Sequence, residues 1–284
     1  MENHERRSIL CPNCRKLINL DEPSCPYCGL RAPGSRWRKT FSIQGLLRGD
    51  QLTRYIIYLC GGMFVLSLAM NPASAGFSMN PFSFLSPGNE SLFLLGATGT
   101  IPIDQFHRWW TVVAAIYLHG SILHILFNMM ALNQIAPFIV QEYGNSRMVS
   151  IFTLSGIGGY LASYFAGIPF TLGASGAVCG LIGAALYYGK SRGGAFGQMI
   201  YRQVGGWALG IFIFGFLVPG INNWAHGGGL LFGALTGALL GYQERLKEKS
   251  FHQIVAAICI VATLGILIWA VGSCFTIFFL SRGL

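Results

Sequence analysis

Charge is what this sequence has least of: Asp, Glu, Lys and Arg make up 10% of its 284 residues, where a soluble globular domain carries about a quarter. That scarcity excludes an ordinary soluble enzyme, and a mean hydropathy of +0.53 makes lipid the solvent for most of the chain. Acids are the rarer sign, 10 against 19 basic residues. The long apolar stretches contain almost no carboxylates. This argues against a proton-coupled carrier or an aspartyl intramembrane protease, because both work through acids inside the bundle. The His-Glu-x-x-His pair of a zinc metalloprotease is missing too. So is an early apolar stretch: the first 54 residues are polar and basic, and no cleaved signal peptide is expected.

What is present is a series of apolar runs, at roughly 52–70, 112–140, 148–168, 174–189, 203–221, 223–242 and 251–280. Each approaches the twenty or so residues that cross a bilayer as a helix, so the chain reads as an all-α polytopic membrane protein with seven spans. With the N-terminus in the cytosol, the inner segments are 1–54, 141–147, 190–202 and 243–250, and they hold 17 of the 19 Lys and Arg. Only Arg108 and Arg282 fall outside. The positive-inside rule then puts the N-terminus in the cytosol and the C-terminus outside, with the cell inner membrane as the expected location. The basic excess marks topology and anionic headgroups, and no nucleic-acid partner is expected.

The eight cysteines divide evenly. Cys11, Cys14, Cys25 and Cys28 form two Cys-x-x-Cys pairs in the polar head, a pattern that supplies four thiolates for one tetrahedral structural zinc. The second pair, Cys-Pro-Tyr-Cys, also suits a redox site, but that chemistry needs a thioredoxin-like scaffold that about 30 residues cannot build. Cys60, Cys179, Cys259 and Cys274 lie in apolar runs and read as buried hydrophobes. The expected organisation is a zinc-ribbon-like cytosolic head over 1–30, open to a cytosolic partner, and a basic juxtamembrane linker over 31–51. A membrane core follows over 52–242, then an inner loop and last span over 243–284.

Within the runs the polar residues are few: His119, His124, Asn128, Ser175, Asn222, Asn223 and His226. Polar and ionisable groups in lipid are costly, and so are candidates for function. His124 and Asn128, four apart, share a helix face; taken alone, they could equally bond a neighbouring helix as structural glue. Ser175 sits among the smallest side chains, in Gly-Ala-Ser-Gly, and opens a stripe of Gly176, Gly180 and Gly183. His226 opens another, Gly229, Gly233, Gly237 and Gly241. Such stripes let two helix backbones approach closely. By the topology above, Ser175, His226 and the His124–Asn128 pair reach one depth near the outer face, a convergence that structural glue does not require.

These motifs resemble the rhomboid intramembrane serine proteases: Gly-Ala-Ser-Gly at 173–176, HGSILHILFN at 119–128, and His226 followed by Gly229 and Gly233. The likeness covers about residues 52–242, and the seventh span is similar to that of the six-plus-one subgroup. It implies a six-helix bundle plus a C-terminal helix, with Ser175 as nucleophile, His226 as its base, and His124 and Asn128 in the oxyanion hole. It also implies that catalysis needs no cofactor and that the substrate is a membrane protein whose transmembrane helix is cut near the outer face. Two positions depart from the family pattern. Trp110–Thr111 stands where many members have Trp-Arg, and Cys179 stands where an aromatic residue often packs on the histidine. The alternative is a non-catalytic rhomboid-like protein that binds membrane helices, which shares the fold but forms no covalent bond at serine. A small-molecule transporter would need inverted repeats with broken helices, and none is visible.

Overall fold

The computed structural model describes residues 8–11, 16–20, 22–27, 49–71, 76–77 and 84–281. It divides into two compact units, 1–48 and 49–284.

In the first unit β1 (Ser8–Leu10) and β2 (Leu17–Asn19) pair antiparallel, with Ile9 opposite Ile18. The Cys11 N–H donates to the Lys16 carbonyl at 2.9 Å and continues the hairpin. Cys11, Ile18 and Cys25 are buried together with Ile9 packed against them. Such a core is far too small to hold a fold without a staple. Cys14 and Cys28 lie outside the described residues, as do 31–48 of the basic linker.

The second unit is helical. Its long elements are α1 (Gly49–Met70), α4 (Ile122–Tyr143), α5 (Asn145–Phe165), α6 (Ser175–Arg192), α7 (Gly194–Leu217), α8 (Asn223–Leu240) and α9 (Ser250–Ser281). A small hairpin, β3 (Gly76–Phe77) with β4 (Phe84–Ser86), and two short helices, α2 (Asn89–Leu95) and α3 (Thr111–Ala114), lie between α1 and α4. Among the described residues five helices are long and apolar enough to cross a membrane: α1 from Gln51, α4, α5, α7, and α9 to Thr276. The two long helices left out are α6 and α8, which carry Ser175 and His226. The chain is an all-α polytopic membrane protein, with α9 added to a bundle of six long helices.

Three boundaries differ from the sequence reading. The run 112–140 is not one helix: α3 and a 3₁₀ turn end at Tyr117, and α4 starts only after its N-cap, Ser121. The inner segments 141–147 and 190–202 are not loops. Gly144 alone separates α4 from α5, and Gly193 alone separates α6 from α7. Both glycines have positive φ, 91° and 67°, a backbone state that reverses the chain without a polar loop. Glu142 and Arg202 accordingly lie inside α4 and α7.

The interior is built around α5, α6 and α8. Of the apolar window of α5, 67% is buried inside the protein, against 22% for α7. α8 packs on α5 and α6, while α9 packs on α5, α3 and α2. Five of the 18 residues of α8 are glycines, each costing about 1 kcal/mol of helix propensity relative to Ala. Close backbone packing offsets that cost. At the far end from Ser175, the fully buried Arg147 donates to the carbonyls of Gly241 (2.9 Å) and Leu246 (2.5 Å), and so closes the C-terminus of α8. Ser146 donates to Glu248 beside it. Arg192 pairs with Glu244 at 2.9 Å. The stretch between α8 and α9 is thereby tied to α5 and α6.

Candidate active site

Ser175 is the first residue of α6, and the segment before it is fixed on several sides. Thr171 exchanges backbone hydrogen bonds with Thr98, at 2.7 and 2.9 Å. The Gly173 N–H donates to the Ala115 carbonyl (2.9 Å), and the Gly173 carbonyl accepts from the buried Tyr160 hydroxyl (2.6 Å). Gly173 has φ +123°, and a Cβ there would lie 2.6 Å from His124 Nε2. Only glycine allows both the turn and the approach of the imidazole. Ser175 itself is half-buried, and its N–H belongs to the first turn of α6, where amides have no carbonyl of their own helix to bond.

His226 lies one turn into α8, buried at 5% exposure. Its N–H donates to the carbonyl of Asn222, the helix N-cap. The neighbouring Ala225 carbonyl oxygen is 3.3 Å from where a Gly176 Cβ would stand. Below it the two helices touch backbone to backbone: a Cβ at Gly229 would overlap the Gly176 carbonyl, and one at Gly233 the Gly180 carbonyl. The stripes thus mesh one after the other, with Ser175 and His226 at the same open end. Among the described residues His226 Nδ1 has no hydrogen-bond partner, so packing orients the ring.

His124 stands on the other side of the Ser175 segment, in the first turn of α4. Its N–H is capped by Ser121 Oγ (3.2 Å), and its Nδ1 accepts from the Gly120 N–H (3.4 Å). An imidazole that accepts at Nδ1 carries its proton on Nε2, the nitrogen turned toward Gly173. Asn128 is buried, and its amide donates to the His124 carbonyl at 2.8 Å. The second N–H of that nitrogen remains available. The fully buried His119 ring lies edge-on to His124 with centroids 5.1 Å apart. Two remote segments therefore reach the stretch around Ser175: α4 through His124 at Gly173, and α8 through Ala225 and Gly229 at Gly176.

The two departures have local accounts. Thr111 Oγ1 donates to the Arg108 carbonyl (2.6 Å) and pairs with Thr98 Oγ1 (3.0 Å). Arg108 donates to the Phe93 and Leu94 carbonyls at 2.8 and 2.9 Å, and lies over the Phe93 and Trp110 rings. It secures the end of α2, so an arginine still organises this stretch. Cys179, one turn after Ser175, is buried, as are Cys60, Cys259 and Cys274. Sequence reasoning missed Tyr160 and gave Asn222 no task. Nothing in their spacing marks them, since each acts on segments distant in the chain.

Residues 107–243 match the family model described as the Rhomboid domain. The chain is 34% identical over 183 residues to the rhomboid protease GluP of Bacillus subtilis (strain 168), covering 62% of this chain and 34% of that protein. It is 32% identical over 188 residues to the mitochondrial RHOMBOID-like protein 6 of Arabidopsis thaliana, covering 62% and 59%. YdcA, a rhomboid protein of the same Bacillus strain, is 31% identical over 147 residues, with 51% of this chain and 72% of YdcA aligned. The chain thus spans about a third of GluP and three fifths of the Arabidopsis relative.

Proposed function

The chain belongs to the rhomboid family, and from that premise we propose that it is an intramembrane serine endopeptidase working through a Ser175–His226 dyad. The observation that carries this reading is the meshing of α6 and α8 at Gly176, Gly180, Gly229 and Gly233, which sets the starts of the two helices side by side. A serine hydroxyl is a weak nucleophile until a base takes its proton. Here His226 accepts that proton as Ser175 Oγ attacks the scissile carbonyl. The oxyanion that forms is met by the Ser175 N–H, His124 Nε2–H and the Asn128 amide; each such donor lowers the barrier by about 2.7–4 kcal/mol. As the tetrahedral intermediate collapses, the C–N bond breaks and His226 returns its proton to the leaving amine. Water, deprotonated by the same imidazole, then hydrolyses the acyl-enzyme. The substrates are membrane proteins, cut in a transmembrane helix near the outer face of the cell inner membrane, with the N-terminus of this chain in the cytosol.

A fluorophosphonate probe tests the chemistry without a substrate. Labelling at Ser175 that disappears in His226→Ala is expected. A protein that only binds membrane helices would show no labelling. In the N-terminal unit we propose a structural zinc on Cys11, Cys14, Cys25 and Cys28. The burial of Cys11 and Cys25 side by side on a minimal hairpin suits such a staple. Metal analysis of the full-length protein should find about one zinc per chain, lost when Cys14 and Cys28 are changed to serine. The absence of metal would sink this assignment. The head, lying on the cytosolic side, is then free to receive a cytosolic partner.

A further inference from the structure

Among the described residues, Asn222 is the one side chain that binds the start of the His226 helix to both segments leading into Ser175. Its Oδ1 accepts from the Ala225 N–H at 3.1 Å and caps α8. Its Nδ2 donates to Ser163 Oγ at 2.6 Å, in the last turn of α5. The same nitrogen donates to Thr171 Oγ1 at 3.0 Å, four residues before Ser175. Its backbone carbonyl accepts from the His226 N–H at 3.2 Å. Ser163 and Thr171 are both buried, so these bonds form away from lipid and their loss leaves unpaired polar groups. An N-cap alone would need only the bond from Oδ1. The two further donations go outside α8, to segments 59 and 51 residues away.

We propose that Asn222 is a positioning residue for the dyad: it sets the register of His226 against Ser175 by pinning the α8 start to Ser163 and Thr171. The proposal rests on the protease reading above. His226 Nδ1 has no hydrogen-bond partner among the described residues, so the placement of the first turn of α8 governs the direction of the imidazole. A displacement of about 1 Å in such a group is enough to cost on the order of a hundredfold in rate. Thr171 carries the effect onward, because it is also the residue that pairs with Thr98 and fixes the approach to Gly173.

The test uses full-length protein in proteoliposomes with a model transmembrane substrate, reading kcat and KM separately, together with the rate of fluorophosphonate labelling at Ser175. Asn222→Ala should lower kcat and labelling by about ten- to a hundredfold, with KM within about twofold of wild type. Asn222→Asp should recover kcat to within about threefold, because its carboxylate caps Ala225 and accepts from the Ser163 and Thr171 hydroxyls. Thr171→Val, nearly isosteric, should lower kcat by about three- to tenfold, and should add little to Asn222→Ala because both act through one contact. Should Asn222→Ala not fold, Thr171→Val and Asn222→Asp carry the test. Wild-type kcat in Asn222→Ala, a loss confined to KM, or full multiplication of the two losses would overturn the role of Asn222 alone. Wild-type protein that neither cleaves nor takes the label would overturn the protease reading, and this role with it.

Discussion

Helices α7 and α8 are both apolar and rich in glycine, yet they pack differently. The α7 helix turns Phe216 and Leu217 outward at 80% and 75% exposure and buries only Gly197, Ile200 and Val204. The α8 helix buries His226, Gly228, Gly229, Gly233 and Gly237 against α5 and α6. Outside those few positions α7 meets its surroundings through large side chains, whereas α8 turns Leu231, Leu235 and Leu239 outward on one face and packs through its backbone on the glycine face. The contrast explains why α6 and α8 fall short of the apolarity of a lipid-facing span. A helix face packed on other helices needs little hydrophobic surface, and small residues there make room for a neighbouring backbone. Ser175 and His226 both lie at the starts of helices of this closely packed pair, while His124 and Asn128 come from α4.

The comparison is broken most severely by giving α8 a side chain where it meets α6. In Gly233→Val the new Cβ would overlap the Gly180 carbonyl, and neither backbone has a rotamer by which to yield. A loss of about 3 kcal/mol or more, at the upper end for overpacking, should accompany loss of cleavage; thermal unfolding in detergent measures the first. A smaller effect is expected at Cys179. It is buried at 2%, next to Gly180, which is pressed against Ser155. Cys179→Phe should cost about 1–3 kcal/mol and reduce turnover. Higher turnover would instead mean that the His226 ring lacks the aromatic support common in the family. The smallest effect belongs on α7: Leu217→Ala, on the exposed face, should change stability by less than about 0.5 kcal/mol.

Much of this organisation is legible in the sequence because it repeats. The apolar runs announce the long helices, and the three- and four-residue spacing of glycines after Ser175 and His226 announces which two helices touch. The joints are not legible in the same way. A single glycine at positive φ, as at Gly144 and Gly193, reverses the chain without the polar residues by which a loop is recognised. Glu142 and Arg202 therefore read as loop charges, and Arg147 as a mark of topology. In the structure Arg147 is fully buried and bonds two carbonyls about 95 residues further on. Tyr160 and Asn222 were hidden for the same reason. Their partners are set by the folded arrangement of α5, the Thr171–Gly173 segment and α8, which no local pattern encodes.

The central claim is that the closely packed pair α6 and α8 carries a catalytic dyad, and product formation from a model transmembrane substrate tests it most directly. Wild-type protein in proteoliposomes should cut the substrate, with the new termini located by mass spectrometry. Ser175→Ala and His226→Ala should each remain folded and lose activity by about a thousandfold or more. Full cleavage by Ser175→Ala, with contaminating proteases excluded by a mock purification, would contradict the account.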